Sequence, residues 1–155
     1  KLFITDVDGV LTSGGMYYSE KGDELKKFNT RDGKGIELLK QKGIKTAIIT
    51  SENTNIVNKR GKKLNIDYLY QDIKNKVKIA KQICSYENIT LKNVAFVGDD
   101  VNDRELLNKV KYKACPKDAH SQIRSIPGIR CLKNKGGQGV IREYIDHILS
   151  QLNNG

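Results

Sequence analysis

A chain of 155 residues with 37% hydrophobic content suffices for one core and not comfortably for two, so a single domain spanning 1–155 is expected. It holds no apolar run of the ~18 residues that a bilayer span needs, and no charged-then-apolar leader precedes the first strand-like segment, so neither membrane contact nor export is expected and a cytoplasmic setting fits. The formal charge of +10 would suit a polyanion, but the lysines are dispersed. The densest stretch, Lys59-Arg60-Gly61-Lys62-Lys63, falls in a helical pattern with Ile56, Val57 and Leu64 as its apolar positions, which reads as a solvated helix face and not as a nucleic-acid strip.

In chain order, Leu2-Phe3-Ile4-Thr5 opens as a strand buried on both faces. The chain begins at Lys1, almost on that strand, which leaves room for further residues or a domain ahead of it. A hairpin insert follows over about 14–29, where Met16-Tyr17-Tyr18 and Leu25-Lys26-Lys27-Phe28 flank the turn Glu20-Lys21-Gly22-Asp23. Helices over 33–42, 53–64 and 72–87 alternate with apolar runs at 46–49, 68–70 and 94–97. A helix near 101–109, strands near 112–115 and 129–132, and a last helix over 138–152 complete the chain. The last is the clearest, since Val140, Ile141, Tyr144, Ile145, Ile148, Leu149 and Leu152 share one stripe. Strand alternating with helix predicts an α/β fold around a doubly wound parallel sheet. Cys84, Cys115 and Cys131 are odd in number and far apart, which suggests neither a disulfide framework nor a zinc site.

In such sheets ligands sit beyond the carboxyl ends of the strands. The residues expected there are Asp6-Val7-Asp8-Gly9-Val10-Leu11-Thr12 after the first strand, Thr50-Ser51 after the second, Lys76 at the start of a helix, and Gly98-Asp99-Asp100 with Asp103 after the fourth. Acids, a hydroxyl and a lysine together suit phosphoryl transfer, which needs an in-line nucleophile and positive charge on the equatorial oxygens. Carboxylates alone would repel a phosphate, and a magnesium ion bound by oxygen ligands removes that conflict. Asp6 is the candidate nucleophile and, with Asp99 and the backbone carbonyl of Asp8, a candidate metal ligand. Asp8 can serve as general acid and then general base. Thr50, Ser51 and Lys76 would bind the phosphate, with Asp100 and Asp103 orienting the lysine and the metal waters.

Asp6-x-Asp8-Gly9-Val10, Thr50, Lys76 and Gly98-Asp99-Asp100-x-x-Asp103 match, in order, the four motifs of the haloacid dehalogenase phosphatases. The resemblance runs over essentially the whole chain and extends to the small branch with the 3-deoxy-octulosonate 8-phosphate and nonulosonate 9-phosphate phosphatases. It is carried further by Gly15-Met16-Tyr17-Tyr18, Glu24 to Phe28 with Asn29, Arg31-Asp32-Gly33, and Gly136-Gly137-x-Gly139 with Arg142-Glu143. It implies a magnesium-dependent phosphatase without a large cap domain, whose hairpins from four subunits join in a homotetramer. An isolated two-stranded ribbon is marginal in water, which agrees with that need for a partner.

Substrate choice turns on Thr50-Ser51-Glu52, where the octulosonate phosphatases that the chain resembles carry Thr-Gly-Arg. Glu52 with Arg60 and Lys63 resembles the nonulosonate pattern and points to a nine-carbon sugar-acid 9-phosphate, with the eight-carbon 8-phosphate as the alternative. Ordinary surface charges in helix pairs explain the same three residues equally well. Arg142, after the Gly136–Gly139 segment, is a further substrate-binding candidate if that segment is a loop over the site and not simply the entry to the last helix. His120 and His147 read as surface or helix residues. A receiver domain of a signalling pathway shares the acidic cluster, threonine and lysine, but its acidic pair and phosphoacceptor lie on different strands. A non-catalytic tetramerisation domain fused to an acylneuraminate cytidylyltransferase is the other rival, against which the intact Asp6, Asp8, Lys76 and Asp99 speak.

Overall fold

Four consecutive buried residues in each of β1 (Leu2–Thr5) and β6 (Val94–Val97) require cover on both faces of the sheet. In the computed structural model, which describes residues 1–155, these two strands lie side by side at the centre of a six-stranded sheet. Its other members are β4 (Lys45–Ile49), β5 (Tyr68–Tyr70), β7 (Tyr112–Cys115) and β8 (Arg130–Cys131), in the order β5-β4-β1-β6-β7-β8. All five pairings are parallel. The period of two divides the core. Phe3, Ile48, Ala95 and Val97 pack on one face with Ile36, Leu39, Val57, Val140, Ile141 and Ile145, whereas Leu2, Ile4, Ala47, Ile49 and Phe96 pack on the other with Val77, Ala80, Ile83, Leu106 and Ile123. The first face is therefore covered by α1 (Thr30–Gln41), α2 (Asn55–Lys63) and α6 (Val140–Asn153), and the second by α3 (Lys76–Tyr86), α4 (Arg104–Lys109) and the short α5 (Ser121–Arg124).

Capping chemistry moves several helix ends away from the positions read from periodicity. Helix α1 begins at Thr30, not 33, because the Asn29 side chain accepts from Arg31 N–H at 2.8 Å. Helix α3 begins at Lys76, not 72, because Asp72 takes a left-handed φ of 56° and Asn75 supplies the cap, accepting from Lys78 N–H at 3.0 Å. The stretch 101–109 divides into a 3₁₀ turn, Val101–Asp103, and α4, since Asp100 caps the turn. Helix α6 has only Gly139 at its own N-cap, and its cap comes from elsewhere in the chain. The buried carboxylate of Asp32 on α1 accepts from Arg142 N–H at 3.0 Å across 110 residues, placing a negative group at the positive end of that helix.

Between β1 and α1 stands the hairpin, shorter than its sequence pattern suggests: β2 (Tyr17–Tyr18) pairs antiparallel with β3 (Glu24–Leu25). Ser19 closes the turn, its hydroxyl accepting from Asp23 N–H at 3.0 Å. No helix is long and apolar enough to cross a membrane.

Candidate active site

After β1 the chain runs to β4 and β5 on one side, then returns to β6 on the other, so the crevice beyond β1 and β6 is the switch point of the sheet. Asp6 lies there, its N–H continuing the ladder to Val97 O at 3.2 Å. The following residues turn sharply, with the N–H groups of Val10, Leu11 and Thr12 all directed to Val7 O. Gly9 makes this turn possible: its φ is +82°, and a β-carbon there would lie 1.8 Å from Asp99 Oδ2. Thus the loop after β1 and the loop after β6 touch.

Lys76, the first residue of α3, is buried, with Nζ 2.6 Å from Asp103 Oδ1 and 3.2 Å from Asp6 Oδ1. Asp103 Oδ2 accepts from the backbone N–H groups of Asp99 and Asp100 at 3.0 and 3.4 Å. Burial alone would lower the Lys76 ammonium, yet the carboxylates of Asp6 and Asp103 outweigh it and hold the group above its usual value. Burial, reinforced by Asp103 and Asp99, pushes Asp6 well above the usual carboxylate range despite Lys76 and a 2.7 Å bond from Val7 N–H. Asp99 rises to about 7, chiefly through burial and then through Asp103 and Asp100. The cluster holds more negative charge than one lysine neutralises, and one carboxylate oxygen from each of Asp6, Asp99 and Asp103 falls within 4.8 Å of the others.

That donor set fits a hard divalent cation, for which oxygen is the preferred ligand. Both oxygens of Asp103 are already engaged by Lys76 and the backbone, so Asp6 and Asp99 are the carboxylates of the cluster that could hold it.

Above Asp6 opens a cleft of about 300 Å³, lined by Asp6, Asp8, Thr50, Ser51, Glu52 and Asp99 among others, with no hydrophobic side chain. Thr50 is buried at the end of β4, its N–H bonded to Tyr70 O at 3.0 Å and its hydroxyl accepting from Glu52 N–H at 3.4 Å. Ser51 Oγ accepts from Asn102 at 3.1 Å, and Asp100 also lines the cleft. Three expected substrate residues lie elsewhere. Arg60 and Lys63 line a separate groove of about 700 Å³ between α1 and α2, with Arg60 over the Phe28 ring at 5.4 Å. Arg142 pairs with Asp146 on its own helix at 2.9 Å.

Three residues of the site region escaped the sequence reading. Asn102 and Asp118 line the cleft, and Lys26 reaches in from the hairpin to Asp8 Oδ1 at 2.7 Å. Only Lys26 left a signal, since it has the strand parity opposite to Leu25. The segment 136–139 does enter α6, and it also packs on the loop after β1: Gly137 N–H donates to Val10 O at 3.0 Å, and Gly136 N–H donates to Asp118 Oδ1 at 3.0 Å. A β-carbon on Gly136 would lie 2.0 Å from Gly9 O. His120 caps α5 through Nδ1, and His147 stacks on Tyr144.

A parallel α/β sheet with a buried Asp, an Asp two residues on, a buried Lys and a second acidic loop at its switch point defines a hydrolase equipped for phosphoryl transfer. The family model for haloacid dehalogenase-like hydrolases matches residues 20–110. The 3-deoxy-D-manno-octulosonate 8-phosphate phosphatase KdsC of Escherichia coli is 39% identical over 150 residues, which is 96% of this chain and 79% of that protein. Among solved structures, the 3-deoxy-D-manno-octulosonate 8-phosphate phosphatase of Moraxella catarrhalis, in complex with a magnesium ion, a phosphate ion and a KDO molecule, superposes with a TM-score of 0.95. It is 33% identical, covering 99% of this chain and 88% of its own. The Yersinia pestis enzyme of the same name gives 0.94 at 34% identity, covering 98% and 82%. This chain belongs to the haloacid dehalogenase-like hydrolase family and is a phosphatase.

Proposed function

We propose that the chain is a magnesium-dependent phosphatase that hydrolyses the phosphate ester of a 3-deoxy-ulosonic acid through an aspartyl phosphate on Asp6. The observation that carries this reading is the buried Asp6 carboxylate on the floor of an all-polar cleft, with Lys76 at 3.2 Å and Asp8 on the same rim. Magnesium, held by Asp6, Asp99 and the Asp8 carbonyl, would supply the positive charge that lets a phosphate approach these acids. Asp6 attacks phosphorus as the ester P–O bond breaks, and Asp8 gives its proton to the departing sugar oxygen. Water then attacks the aspartyl phosphate, Asp8 takes its proton, and the Asp6–phosphorus bond breaks to release inorganic phosphate. Lys76, Thr50 and Ser51 hold the phosphate, while Asp103 fixes Lys76 and Asp100 shapes the loop.

An eight-carbon octulosonate 8-phosphate is the substrate that the named relatives support. A nine-carbon 9-phosphate is favoured by Glu52, which lines the cleft and would accept from the additional hydroxyl, or the amide, that a nine-carbon acid offers. Assembly into a homotetramer is supported by the hairpin, whose Tyr17, Tyr18 and Leu25 are 62%, 67% and 64% exposed, far more than an unpartnered apolar ribbon favours. Phosphate release from both ulosonate phosphates, with and without magnesium, tests the function. Magnesium-dependent release from at least one is expected, and no release from either would overturn the reading.

A further inference from the structure

Inside and outside are inverted in the hairpin. Its apolar side chains Tyr17, Tyr18 and Leu25 face solvent, while the side chain of Lys26 is 1% exposed. Burying a lysine costs its hydration and its rotamer freedom, so the ammonium needs a partner, and it has one in Asp8 Oδ1 at 2.7 Å. Glu24 stands further off at 4.0 Å. The same Asp8 oxygen receives a long contact from Thr12 Oγ1 at 3.5 Å. Asp8 Oδ2 makes no hydrogen bond, and Asp8 lines the cleft. A carboxylate on a loop can rotate about two side-chain bonds, and proton transfer demands that one oxygen stay within reach of the reacting group.

Resting on the mechanism above, we propose that Lys26 is a positioning residue for the phosphatase reaction: by gripping Oδ1 it fixes the Asp8 carboxylate with Oδ2 presented to the cleft for both proton transfers. The bond spans 18 residues and joins the hairpin to the nucleophile loop, so displacement of the hairpin is felt at the acid–base group. A lysine serving only to anchor the hairpin would affect stability and leave the balance between the two chemical steps alone.

The test uses the full chain with magnesium and an aryl phosphate, whose leaving group needs no proton. Lys26→Met, which keeps the stem and removes the charge, is expected to form phospho-enzyme at near the normal rate and to hydrolyse it ~10–100-fold more slowly. Phospho-enzyme then accumulates in acid-quenched samples, with KM moved less than about threefold. In Lys26→Ala, ethylammonium is expected to restore turnover at least about tenfold, whereas tetramethylammonium at equal ionic strength is not. Turnover of Lys26→Met within twofold of wild type overturns the proposal. So does a loss without phospho-enzyme accumulation or amine rescue, or failure of both variants to fold by circular dichroism, since each assigns Lys26 to the fold alone. Asp8→Asn, run in parallel, separates the two levels. If it too turns over normally, the Asp6–Asp8 mechanism fails; if it accumulates phospho-enzyme and Lys26→Met does not, only the role of Lys26 fails.

Discussion

Asp103 grips Lys76 at 2.6 Å with one carboxylate oxygen and receives the Asp99 backbone N–H at 3.0 Å with the other. One fully buried acid thereby fixes both the ammonium beside Asp6 and the loop that carries Asp99.

Removing that acid should damage stability and catalysis together. Asp103→Ala leaves Lys76 with Asp6 as its one remaining ion-pair partner and strips the Asp99 N–H of its acceptor, and breaking one side of a buried ion pair costs about 3–5 kcal/mol. Denaturant unfolding should report a loss of that order, with kcat down at least ~10-fold in the fraction that remains folded. Wild-type stability in this variant would show that the Asp103–Lys76 bond contributes little to the fold.

At Asp6, activity and stability should move in opposite directions. Burial and two neighbouring carboxylates disfavour its charge, so the neutral isostere Asp6→Asn should unfold at a temperature equal to or above that of wild type in chelator, while turnover vanishes. Added magnesium should raise the wild-type midpoint, since a ligand at 100 times its Kd stabilises by ~2.7 kcal/mol, and should raise that of Asp6→Asn much less. Equal magnesium shifts in the two proteins would remove Asp6 from the metal site, and the thermal readout does not depend on any choice of substrate.

Much of this was readable from sequence because the determinants are local. The two central strands, β1 and β6, are short runs buried on both faces, and the acids of Asp6-x-Asp8 and Gly98-Asp99-Asp100 follow them directly, so the sheet geometry delivers them to one edge. Lys76 was legible as a residue near the start of a helix facing that edge, although periodicity placed that start at 72 and the Asn75 cap moves it to Lys76. Contacts that depend on where distant segments pack were not. Lys26 approaches Asp8 only because the hairpin folds back over the loop. Asn102 and Asp118 sit in turns without a periodic signature, and Arg60 and Arg142, plausible by charge, are drawn to other partners, the Asn29 carbonyl and Asp146.

The cap that Asp32 provides to α6 carries a pH signature. Burial raises its carboxyl to about 6, and its Oδ2 has no hydrogen-bond partner. Because the folded value exceeds the ordinary 3.8, the native state binds more protons than the unfolded state between those values, and stability from this group falls as pH rises from about 4 to about 6. Asp32→Asn keeps an acceptor for Arg142 N–H and cannot titrate. The stability of wild type relative to Asp32→Asn should therefore decline by about 3 kcal/mol across that window, because a tenfold difference in proton affinity between folded and unfolded states is worth ~1.36 kcal/mol. A difference independent of pH would mean that Asp32 titrates normally.

Assembly should depend on the hairpin's exposed apolar face. Tyr17→Lys combined with Leu25→Glu places opposite charges across a register pair, which preserves the ribbon and removes its apolar surface. Light scattering should give about four times the 17.4 kDa chain mass for wild type and a smaller species for the double variant. A tetramer that survives both changes would locate the interface elsewhere.

Specificity should follow Glu52, which lines the cleft with Thr50 and Ser51 and lies apart from Arg60 and Lys63 in their groove between α1 and α2. Within one chain, then, Glu52 stands in the cleft without the compensating lysine that the sequence pattern suggested. A carboxylate in that position accepts from hydroxyl or amide donors, of which the nine-carbon acid offers more, so the nine-carbon 9-phosphate should exceed the eight-carbon 8-phosphate in kcat/KM. A site with polar groups that only one substrate can satisfy discriminates strongly, whereas one additional carbon alone is worth ~10–200-fold. Glu52→Arg should narrow or reverse the ratio, because a guanidinium cannot accept from the donors that distinguish the nine-carbon substrate. A small aryl phosphate reaches Asp6 without touching the sugar pocket and serves as the internal reference for the shared chemistry. If wild type prefers the octulosonate phosphate, or if Glu52→Arg leaves the ratio unmoved, Glu52 is a surface charge at the rim and the eight-carbon reading stands.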